Sequence, residues 1–543
     1  MSSHRVHSRP ARGVCAQVKI DQSPETISGF LEDAAHYPGG HACGLARPRS
    51  EAEIAAVIQS TQQLLPIGAQ SSLTGGATPM GELLLITDRL DGILHIDKNQ
   101  VKVQSGVPLS ILKDKLTSHD AFFPSMPTFE GAFAGGVVAT NAAGASTFKY
   151  GSTRDWVRGL TVVLADGSVI ELERGQFQAH PDGYFEIITS HRKFRVTVPT
   201  YRMPNVPKRS AGYFAEPGMD LIDLFIGSEG TLGVVTEITF GIVSPVPARY
   251  LVWLTLPSEN SAVELVALLR EETQATWQLK DPRGIDVSAI EQMDRRSLDL
   301  ICEDGFDRQH SIKIQDDATV VLLIQIEIPI DSVPTPTEAY SQIEGALITG
   351  GPDTPLVRLC QLLSKVELLD HAEIVLPQDR HRYNQLLAAR EAVPEAVNRR
   401  VWQVKREGDL AIEKTAADVI VPFTHVLESL KLFRRAFEQR GLDYAIWGHI
   451  SDGNIHPNVV PRSVEDVRAG MEAILECGHE IIKLGGCPLA EHGVGRNKIK
   501  QALLKQLYGK SGIEEMRNVK TAFDPEGKLA PGVLFPELSK TTL

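Results

Sequence analysis

Two histidines near the carboxyl end of the chain are spaced in a way that suits metal chemistry. In "WGHISDGNIHPN" (447–458), His449 and His456 flank Asp452-Gly453, a pair that favours a two-residue hairpin turn. Such a turn would place His449 directly opposite His456, with their Cβ atoms about 4.5–5.5 Å apart. Neutral imidazoles at that separation can share one divalent cation. The stretch therefore predicts a metal-binding hairpin, and the alternative is a pair of surface histidines.

A second stretch, "LAEHGVGRNK" (489–498), sets a carboxylate and an imidazole side by side before two glycines. Glu491 would complete a His/His/Glu metal site that keeps coordination positions open for substrate oxygens. His492, oriented by its neighbours, would then act as a general base. The two stretches together shift the odds from surface histidines towards a catalytic site.

Three glycine-rich stretches lie in the first half of the chain: "PIGAQSSLTGGATP" (66–79), "PSMPTFEGAFAGGVVATNAAGASTFKYGSTRD" (124–155) and "GSEGTLGVV" (227–235). Glycine lets the backbone approach a ligand closely, and exposed N–H groups bind a pyrophosphate without positive charge. The first loop has neither the GxGxxG nor the GK[ST] pattern, so it fits neither a Rossmann nor a Walker site. Each stretch alone is also compatible with ordinary turns, but together they predict a dinucleotide that lies across several loops.

The composition limits the classes of function. A chain of 543 residues is too long for one hydrophobic core and predicts two to four domains. A net charge of −13 argues against nucleic acid as a partner, because phosphate contacts need Lys and Arg. The cysteines lack CxxC spacing, which excludes a Cys-ligated iron–sulfur cluster or zinc ribbon and favours a reducing compartment. They are Cys15, Cys43, Cys302, Cys360, Cys477 and Cys487.

The amino terminus, "MSSHRVHSRPARGVCAQVK", contains Arg and Ser and no acidic residue before Asp21. It is compatible with a transit peptide and, more readily, with a disordered basic leader. No stretch reaches the roughly 18 uninterrupted apolar residues that a membrane span needs. We therefore expect a cytoplasmic protein, or a mitochondrial one in a eukaryotic cell, with peripheral membrane attachment left open.

The hydrophobic pattern changes near residue 246. Between about 45 and 245, short β-rich runs alternate with Gly-rich turns. Beyond 246, helices such as "SAVELVALLREE" alternate with strand-like runs such as "TVVLLIQIEI", which predicts a sheet with helices on one face. The expected class is α+β, in four segments: an irregular extension (1–44), a ligand-binding domain (45–245), a cap domain (246–480) and a C-terminal segment that returns to the first domain (481–543).

Residues 45–245 resemble the FAD-binding domain of the vanillyl-alcohol oxidase or PCMH type. The resemblance rests on "GGVVATNAAGASTFKYGSTRDWV" and "GSEGTLGVVTE". The first loop departs from the family pattern, since Ile67 replaces a basic residue and Ala69-Gln70 replace two glycines. The FAD contacts that the resemblance implies are Pro66, Ile67, Gly68, Ala69, Gln70, Ser71, Ser72, Gly75, Pro127, Thr128, Gly135, Gly136, Thr140, Asn141, Gly144, Ser146, Glu229, Gly233, Val235 and Asn454.

The histidine stretches carry a second resemblance. "GHISDGNIHPNV", "EHGVGRNK" and the closing "KTAFDPEGKLAPGVLFP" are similar to motifs of the FAD-linked D-2-hydroxyacid dehydrogenases, which include D-lactate, D-2-hydroxyglutarate and glycolate dehydrogenase subunits. Ser451 stands where that family usually has Gly. By this likeness His449, His456 and Glu491 are ligands of a divalent metal, zinc or manganese, and His492 is the catalytic base and contacts substrate.

The same resemblance implies substrate anchors and a reaction. Arg390 and Lys414 are the best matches to the residues that contact the substrate carboxylate, which Arg can bind with two hydrogen bonds. Lys208 and Tyr213 match an element near the flavin, and His95 is a candidate for covalent attachment of FAD. The implied cap domain is an antiparallel sheet, with C-terminal helices after it. The implied reaction oxidises a D-2-hydroxy acid to the 2-oxo acid by hydride transfer to flavin N5.

The sequence leaves alternatives open for the electron acceptor and for the reaction class. Electrons would pass to an electron-transfer protein, a quinone or dioxygen, and a homodimer is compatible with the sequence. One alternative function is non-redox alkyl transfer by a flavin enzyme of the same fold, as in alkylglycerone-phosphate synthase. The other is a metal-dependent hydrolase or binding protein without flavin.

Overall fold

The computed structural model describes residues 3–14, 18–348, 351–406 and 412–536. The chain divides into two compact units. The first unit comprises Met1–Gly144, Gly151–Ser244 and Cys487–Leu543, and the second comprises Ala145–Tyr150 and Pro245–Gly486. The domain boundaries expected at 45, 246 and 481 stay predictions. Cys15 and part of the expected leader lie outside the described residues.

Strands and helices alternate along the described chain, which confirms the α+β class. The strands are β1 Arg5–His7, β2 Ile20–Asp21, β3 Gly44–Ala46, β4 Leu64–Ile67, β5 Leu83–Ile86, β6 Ile93–Ile96, β7 Gln100–Gln104, β8 Val157–Val163, β9 Val169–Glu173, β10 Tyr184–Ile188, β11 Lys193–Thr197, β12 Val234–Gly241, β13 Ala248–Leu256, β14 Val287–Asp294, β15 Val320–Ile328, β16 Ala372–Val375, β17 Thr415–Ala416, β18 Val419–Ile420, β19 Tyr444–His449 and β20 Asn454–Val459. The helices are α1 Pro24–Ser28, α2 Glu51–Ser60, α3 Leu109–Thr117, α4 Ala134–Ala139, α5 Thr147–Tyr150, α6 Thr153–Trp156, α7 Ile222–Phe225, α8 Glu259–Leu279, α9 Arg295–Glu303, α10 Phe306–Gln309, α11 Pro336–Gly345, α12 Pro355–Lys365, α13 Arg380–Arg406, α14 Val426–Glu438, α15 Val464–Lys483 and α16 Lys498–Phe523.

The first unit contains sheets of three, four and five strands among its described residues. Their orders are β1-β10-β11, β2-β3-β5-β4 and β6-β7-β12-β8-β9. Strands β3, β5 and β4 run parallel, whereas the five-stranded sheet is antiparallel. The C-terminal segment joins β4, because Leu64 N–H donates to Lys528 O and Ala530 N–H donates to Leu64 O, both at 2.8 Å. This pairing ties the chain end to the strand that leads into the first glycine loop.

Helix α2 shows how the sequence pattern produces these elements. Ser50 caps its amino end by accepting a hydrogen bond from Glu53 N–H, which satisfies one of the free donors of the first turn. Ile54, Val57 and Ile58 follow at helical spacing and are buried in the core of the first unit.

The second unit is built on one antiparallel sheet of the order β16-β13-β15-β14-β19-β20-β17, with β18 also paired to β20. Trp253, Met293 and Leu323 lie on one sheet face and share a core with Leu386 and Val393 of helix α13. The central strands are buried on both faces, which explains their long apolar runs. Among the described residues no helix combines the length and apolarity needed to cross a bilayer.

The described cysteines are unpaired thiols, as their spacing predicts. They are Cys43, Cys302, Cys360, Cys477 and Cys487.

Candidate functional site

A cavity of about 310 Å³ lies in the first unit, at the low end of the range typical of small-molecule sites. All three glycine-rich stretches contribute to its wall. The expected FAD contacts among its lining residues are Pro66, Ile67, Gly68, Ala69, Gln70, Ser71, Ser72, Pro127, Thr128, Gly135, Gly136, Thr140, Glu229, Gly233 and Val235.

The wall of this cavity fits a large ligand that approaches the backbone closely. A Cβ atom on Gly136 would meet no atom within 4 Å, so a side chain there would project into open space at the cavity wall. Ser105 also lines the cavity, and among the described residues its buried Oγ has no hydrogen-bond partner. A ligand with acceptor or donor groups would satisfy that hydroxyl, since buried polar groups are normally paired. The residues present therefore fit a dinucleotide such as FAD.

Five of the expected FAD contacts do not line this cavity. Gly75 packs against the Tyr37 ring, which a Cβ atom would meet at 2.6 Å, and its φ of +74° also favours glycine. The side chain of Asn141 has a structural role, because its Oδ1 accepts a hydrogen bond from Arg154 N–H at 2.9 Å. The other three are Gly144, which closely approaches the backbone of Met126, and Ser146 and Asn454, which belong to the second unit.

The cavity wall also includes residues that the glycine pattern did not predict. Ser105 follows strand β7, and Thr87 follows β5, so both are small polar residues at strand ends. That position is a usable signal in the sequence. Phe133, which packs against Gly68, carries no such signal.

Glu491 and His492 line the same cavity as the glycine-rich stretches. His492 Nε2 lies 3.6 Å from Glu491 Oε1, and Lys208 Nζ lies 3.0 Å from Glu491 Oε2. Lys208 is fully buried, and because its ammonium lies beside Glu491 it offsets the negative charge of that carboxylate. Tyr213, also buried, shares a hydrogen bond of 2.7 Å with Thr231 Oγ1. The structure thus places the expected base next to the expected cofactor loops.

Glu229 holds the loop that follows His492. Its two carboxylate oxygens accept hydrogen bonds from Val494 N–H and Gly495 N–H, each at 2.8 Å. A Cβ atom on Gly493 would lie 2.9 Å from Glu229 Oε1, and the φ of +74° at this position also favours glycine. Burial raises the pKa of the Glu229 carboxyl to about 7, although the two N–H donors act in the opposite direction.

The histidine hairpin of the second unit has a different register from the one that we expected. His449 pairs with Asn454, and His456 pairs with Trp447, so the two histidines are not directly opposite each other. The reason is the 3₁₀ turn Ile450–Asp452, which lengthens the two-residue turn to four residues. A register shift of two residues keeps side chains on the same sheet face. The imidazole centroids accordingly lie 5.3 Å apart.

Glu291, on β14, connects two of the expected site residues. It is the strand partner of His449, whose Nδ1 lies 2.7 Å from Glu291 Oε1. Arg390 Nε donates to Glu291 Oε2 at 2.9 Å, and all three side chains are buried. Burial alone would raise the pKa of the Glu291 carboxyl, but Arg390 and His449 lower it to about 2. The sequence offered no distinctive signal for this residue, because the same strand also carries Ser288, Gln292 and a second acidic residue, Asp294.

His456 also has a carboxylate neighbour within the second unit. Its Nδ1 lies 3.4 Å from Asp418 Oδ1, and the Asn454 amide donates to the same oxygen at 3.1 Å. Lys414 lies just before β17 and is half-buried. His95, the candidate for covalent attachment, lies on β6 with a largely exposed side chain and is not among the cavity-lining residues.

Comparisons with known proteins cover both units. Residues 257–534 match the family described as FAD linked oxidases, C-terminal domain, and residues 42–173 match the family described as FAD binding domain. The chain is 26% identical to the glycolate oxidase subunit GlcD of Bacillus subtilis, over 90% of this chain and 88% of that protein. It is 28% identical to a D-lactate dehydrogenase of Anaerostipes hadrus, over 91% of each chain. It is 26% identical to a D-2-hydroxyglutarate dehydrogenase of Xanthomonas citri, over 95% of this chain and 94% of that protein.

Proposed function

The chain belongs to the FAD-linked oxidase family and is a flavin-dependent oxidoreductase, and on that premise we propose that it oxidises a D-2-hydroxy acid to the 2-oxo acid. The substrate class is that of D-lactate, D-2-hydroxyglutarate or glycolate, on which the relatives named above act. The observation that supports the proposal most directly is that His492 lines the same cavity as the glycine-rich loops.

The residues of the first unit would hold the cofactor and move one proton. Bound FAD supplies the hydride acceptor, N5 of its isoalloxazine ring. The glycine-rich loops bind and orient the cofactor through backbone groups. His492 would take the proton of the substrate hydroxyl as a general base. Glu229 fixes the loop that carries this base, through Val494 and Gly495.

The second part of the proposal is a divalent cation, zinc or manganese, with His449, His456 and Glu491 as its ligands. Support comes from the two buried imidazoles, whose ring centroids lie 5.3 Å apart, and from the carboxylate of Glu491 in the EHG stretch. Nitrogen and carboxylate donors suit either metal. The cation would bind substrate oxygens and make the substrate hydroxyl more acidic.

Arg390 and Lys414 are the proposed anchors of the substrate carboxylate. A guanidinium carries five N–H donors, so the bond from Nε to Glu291 leaves donors for a substrate. Electrons would leave for an electron-transfer protein, a quinone or dioxygen. We also propose that the protein forms a homodimer and is located in the cytoplasm, or in mitochondria in a eukaryotic cell.

The His492→Ala variant tests the proposed base. We expect yellow, FAD-loaded protein whose flavin is not bleached by D-lactate, D-2-hydroxyglutarate or glycolate under anaerobic conditions, because the hydroxyl proton has no acceptor. His425→Ala is the matched control, since His425 is a partly exposed histidine that does not line the cavity. Flavin bleaching at the wild-type rate in His492→Ala would rule out His492 as the base.

Removal of metal tests the proposed cation separately. Dialysis against a chelator is expected to leave FAD bound but to stop flavin bleaching by substrate, and added Zn²⁺ or Mn²⁺ is expected to restore it. Elemental analysis of the dialysed protein provides the control for complete removal. Full activity in protein that contains no metal would contradict this part of the proposal and leave the oxidoreductase assignment intact.

A further inference from the structure

Glu291 lies at the centre of a buried arrangement that contains one proposed metal ligand and one proposed substrate anchor. It occupies β14 directly across from His449 on β19, so the backbone register itself brings the two side chains together. One oxygen lies 2.7 Å from His449 Nδ1, and the other accepts a hydrogen bond from Arg390 Nε at 2.9 Å. Glu291 is 5% exposed and His449 is 2% exposed, so bulk water does not compete for these bonds.

The hydrogen bond to Glu291 fixes which nitrogen of His449 carries the proton. Glu291 Oε2 accepts from Arg390 Nε, and the other oxygen of the carboxylate faces His449 Nδ1 at 2.7 Å as a hydrogen-bond acceptor. Nδ1 must therefore donate its N–H to Glu291, and the lone pair of the neutral ring lies on Nε2. A carboxylate behind a histidine sets both the tautomer and the orientation of the ring, and it makes the ligand nitrogen more basic.

From these contacts we propose that Glu291 is a positioning residue, which holds His449 with Nε2 directed to a divalent cation and holds Arg390 in place for the substrate carboxylate. This inference rests on the proposed function. Asp418 lies farther from the second imidazole, at 3.4 Å from His456 Nδ1, so the positioning role is assigned to Glu291 alone.

Metal titration of FAD-loaded protein tests the inference without an activity assay. Chelator-treated wild type should bind one equivalent of Zn²⁺ in competition with a chromophoric chelator. Glu291→Gln should bind Zn²⁺ about 10- to 100-fold more weakly, the range found when such supporting groups are lost. Glu291→Asp retains the charge beside Arg390 but shortens the side chain by one methylene, and it should lose less affinity than Glu291→Gln. It also provides a second variant if Glu291→Gln does not fold.

Asp294→Asn is the matched control for general loss of a buried carboxylate. Asp294 lies on the same strand, is fully buried, and pairs with Arg434 and Ser297. This variant should be less stable than wild type, with unchanged Zn²⁺ affinity. Wild-type Zn²⁺ affinity in both Glu291 variants, or an equal loss in Asp294→Asn, would overturn the positioning role of Glu291. Absence of Zn²⁺ and Mn²⁺ binding by the wild type would instead overturn the metal site of the proposed function, and this inference with it.

Discussion

Two glutamates, half-buried Glu229 in the first unit and buried Glu291 in the second, differ in the way their charge is compensated. Glu229 in the first unit accepts hydrogen bonds from two backbone N–H groups, and its pKa is raised to about 7 by burial. Glu291 in the second unit faces Arg390 and His449, which lower its pKa to about 2 although Glu291 is more deeply buried than Glu229. Two backbone N–H groups and the charge of Lys500 therefore do not offset the loss of hydration at Glu229, whereas the adjacent Arg390 and His449 do offset it at Glu291.

The same difference distinguishes the two candidate binding regions. The cavity of the first unit is lined chiefly by glycine, alanine, serine and threonine, and suits a ligand recognised through backbone groups. The hairpin region of the second unit concentrates imidazole, carboxylate and guanidinium groups in a buried arrangement. The first arrangement suits an extended cofactor, and the second suits a metal ion and a small anion.

The largest effect is expected from Arg390→Ala, which removes the formal charge beside Glu291. The free energy of unfolding should fall by about 3–5 kcal/mol, because an unpaired carboxylate stays buried. Chemical denaturation of FAD-loaded protein measures the change. Arg399→Ala on the same helix is the control, since Arg399 is half-exposed and its ion pair with Asp304 is worth at most about 1 kcal/mol. Equal losses in the two variants would show that charge compensation at Glu291 is unimportant.

Glu229→Gln tests the opposite case through pH dependence. The folded protein holds the Glu229 proton more tightly than the unfolded chain does, so protonation of Glu229 stabilises the folded state. This contribution to the free energy of unfolding is complete below about pH 4.5 and is lost as the pH rises through about 7. The loss amounts to about 3 kcal/mol for a shift of this size. Glu229→Gln should flatten the decline in the free energy of unfolding between pH 4.5 and 7. An unchanged slope in the variant would mean that Glu229 titrates normally.

Gly136→Leu probes the space in the wall of the first cavity. The added side chain meets no atom of the protein at its Cβ, so the fold should persist while FAD binds at least about tenfold more weakly, a cost of about 1.4 kcal/mol. The dissociation constant of FAD and the circular dichroism spectrum measure the two effects. Gly345→Leu, where a Cβ is equally unobstructed and which does not line this cavity, should bind FAD normally. Tight, stoichiometric FAD in Gly136→Leu would argue against this wall as the cofactor site.

Ser105→Ala should have the smallest effect. Its buried Oγ has no partner among the described residues, so the stability of FAD-free protein should change little. In FAD-loaded protein the substitution should weaken cofactor binding by about 1 kcal/mol if the ligand pairs with this hydroxyl. Equilibrium titration with FAD measures the difference, and identical FAD affinity in the variant and wild type would exclude that hydrogen bond.

Much of the fold followed from local sequence patterns. The apolar spacing in "SAVELVALLREE" predicts helix α8, and the strand-like run "TVVLLIQIEI" predicts β15, and both predictions are confirmed. The α+β class and the FAD-binding family are confirmed as well. These features are decided by neighbours in the chain, through periodicity, turn residues and contiguous motifs.

The strand register of the histidine hairpin is a feature that local sequence patterns did not predict correctly. The Asp452-Gly453 pair marks the turn, but it does not reveal that Ile450–Asp452 forms a 3₁₀ turn and shifts the strand register. The sequence nevertheless predicts that both imidazoles lie on one face of the sheet, because a register shift of two residues preserves the alternation of side chains along a strand.

The sequence by itself determined the cofactor family, the secondary structure and the residues capable of chemistry, since each is encoded in short contiguous stretches. Only the tertiary structure decided which charges meet. Glu291 and His449 are 158 residues apart in the chain and become neighbours through the pairing of β14 with β19. The folded surroundings also shift the pKa values of two glutamates in opposite directions: burial raises that of Glu229, and charged partners lower that of Glu291. Desolvation and partner charge are properties of these surroundings and not of the residue type.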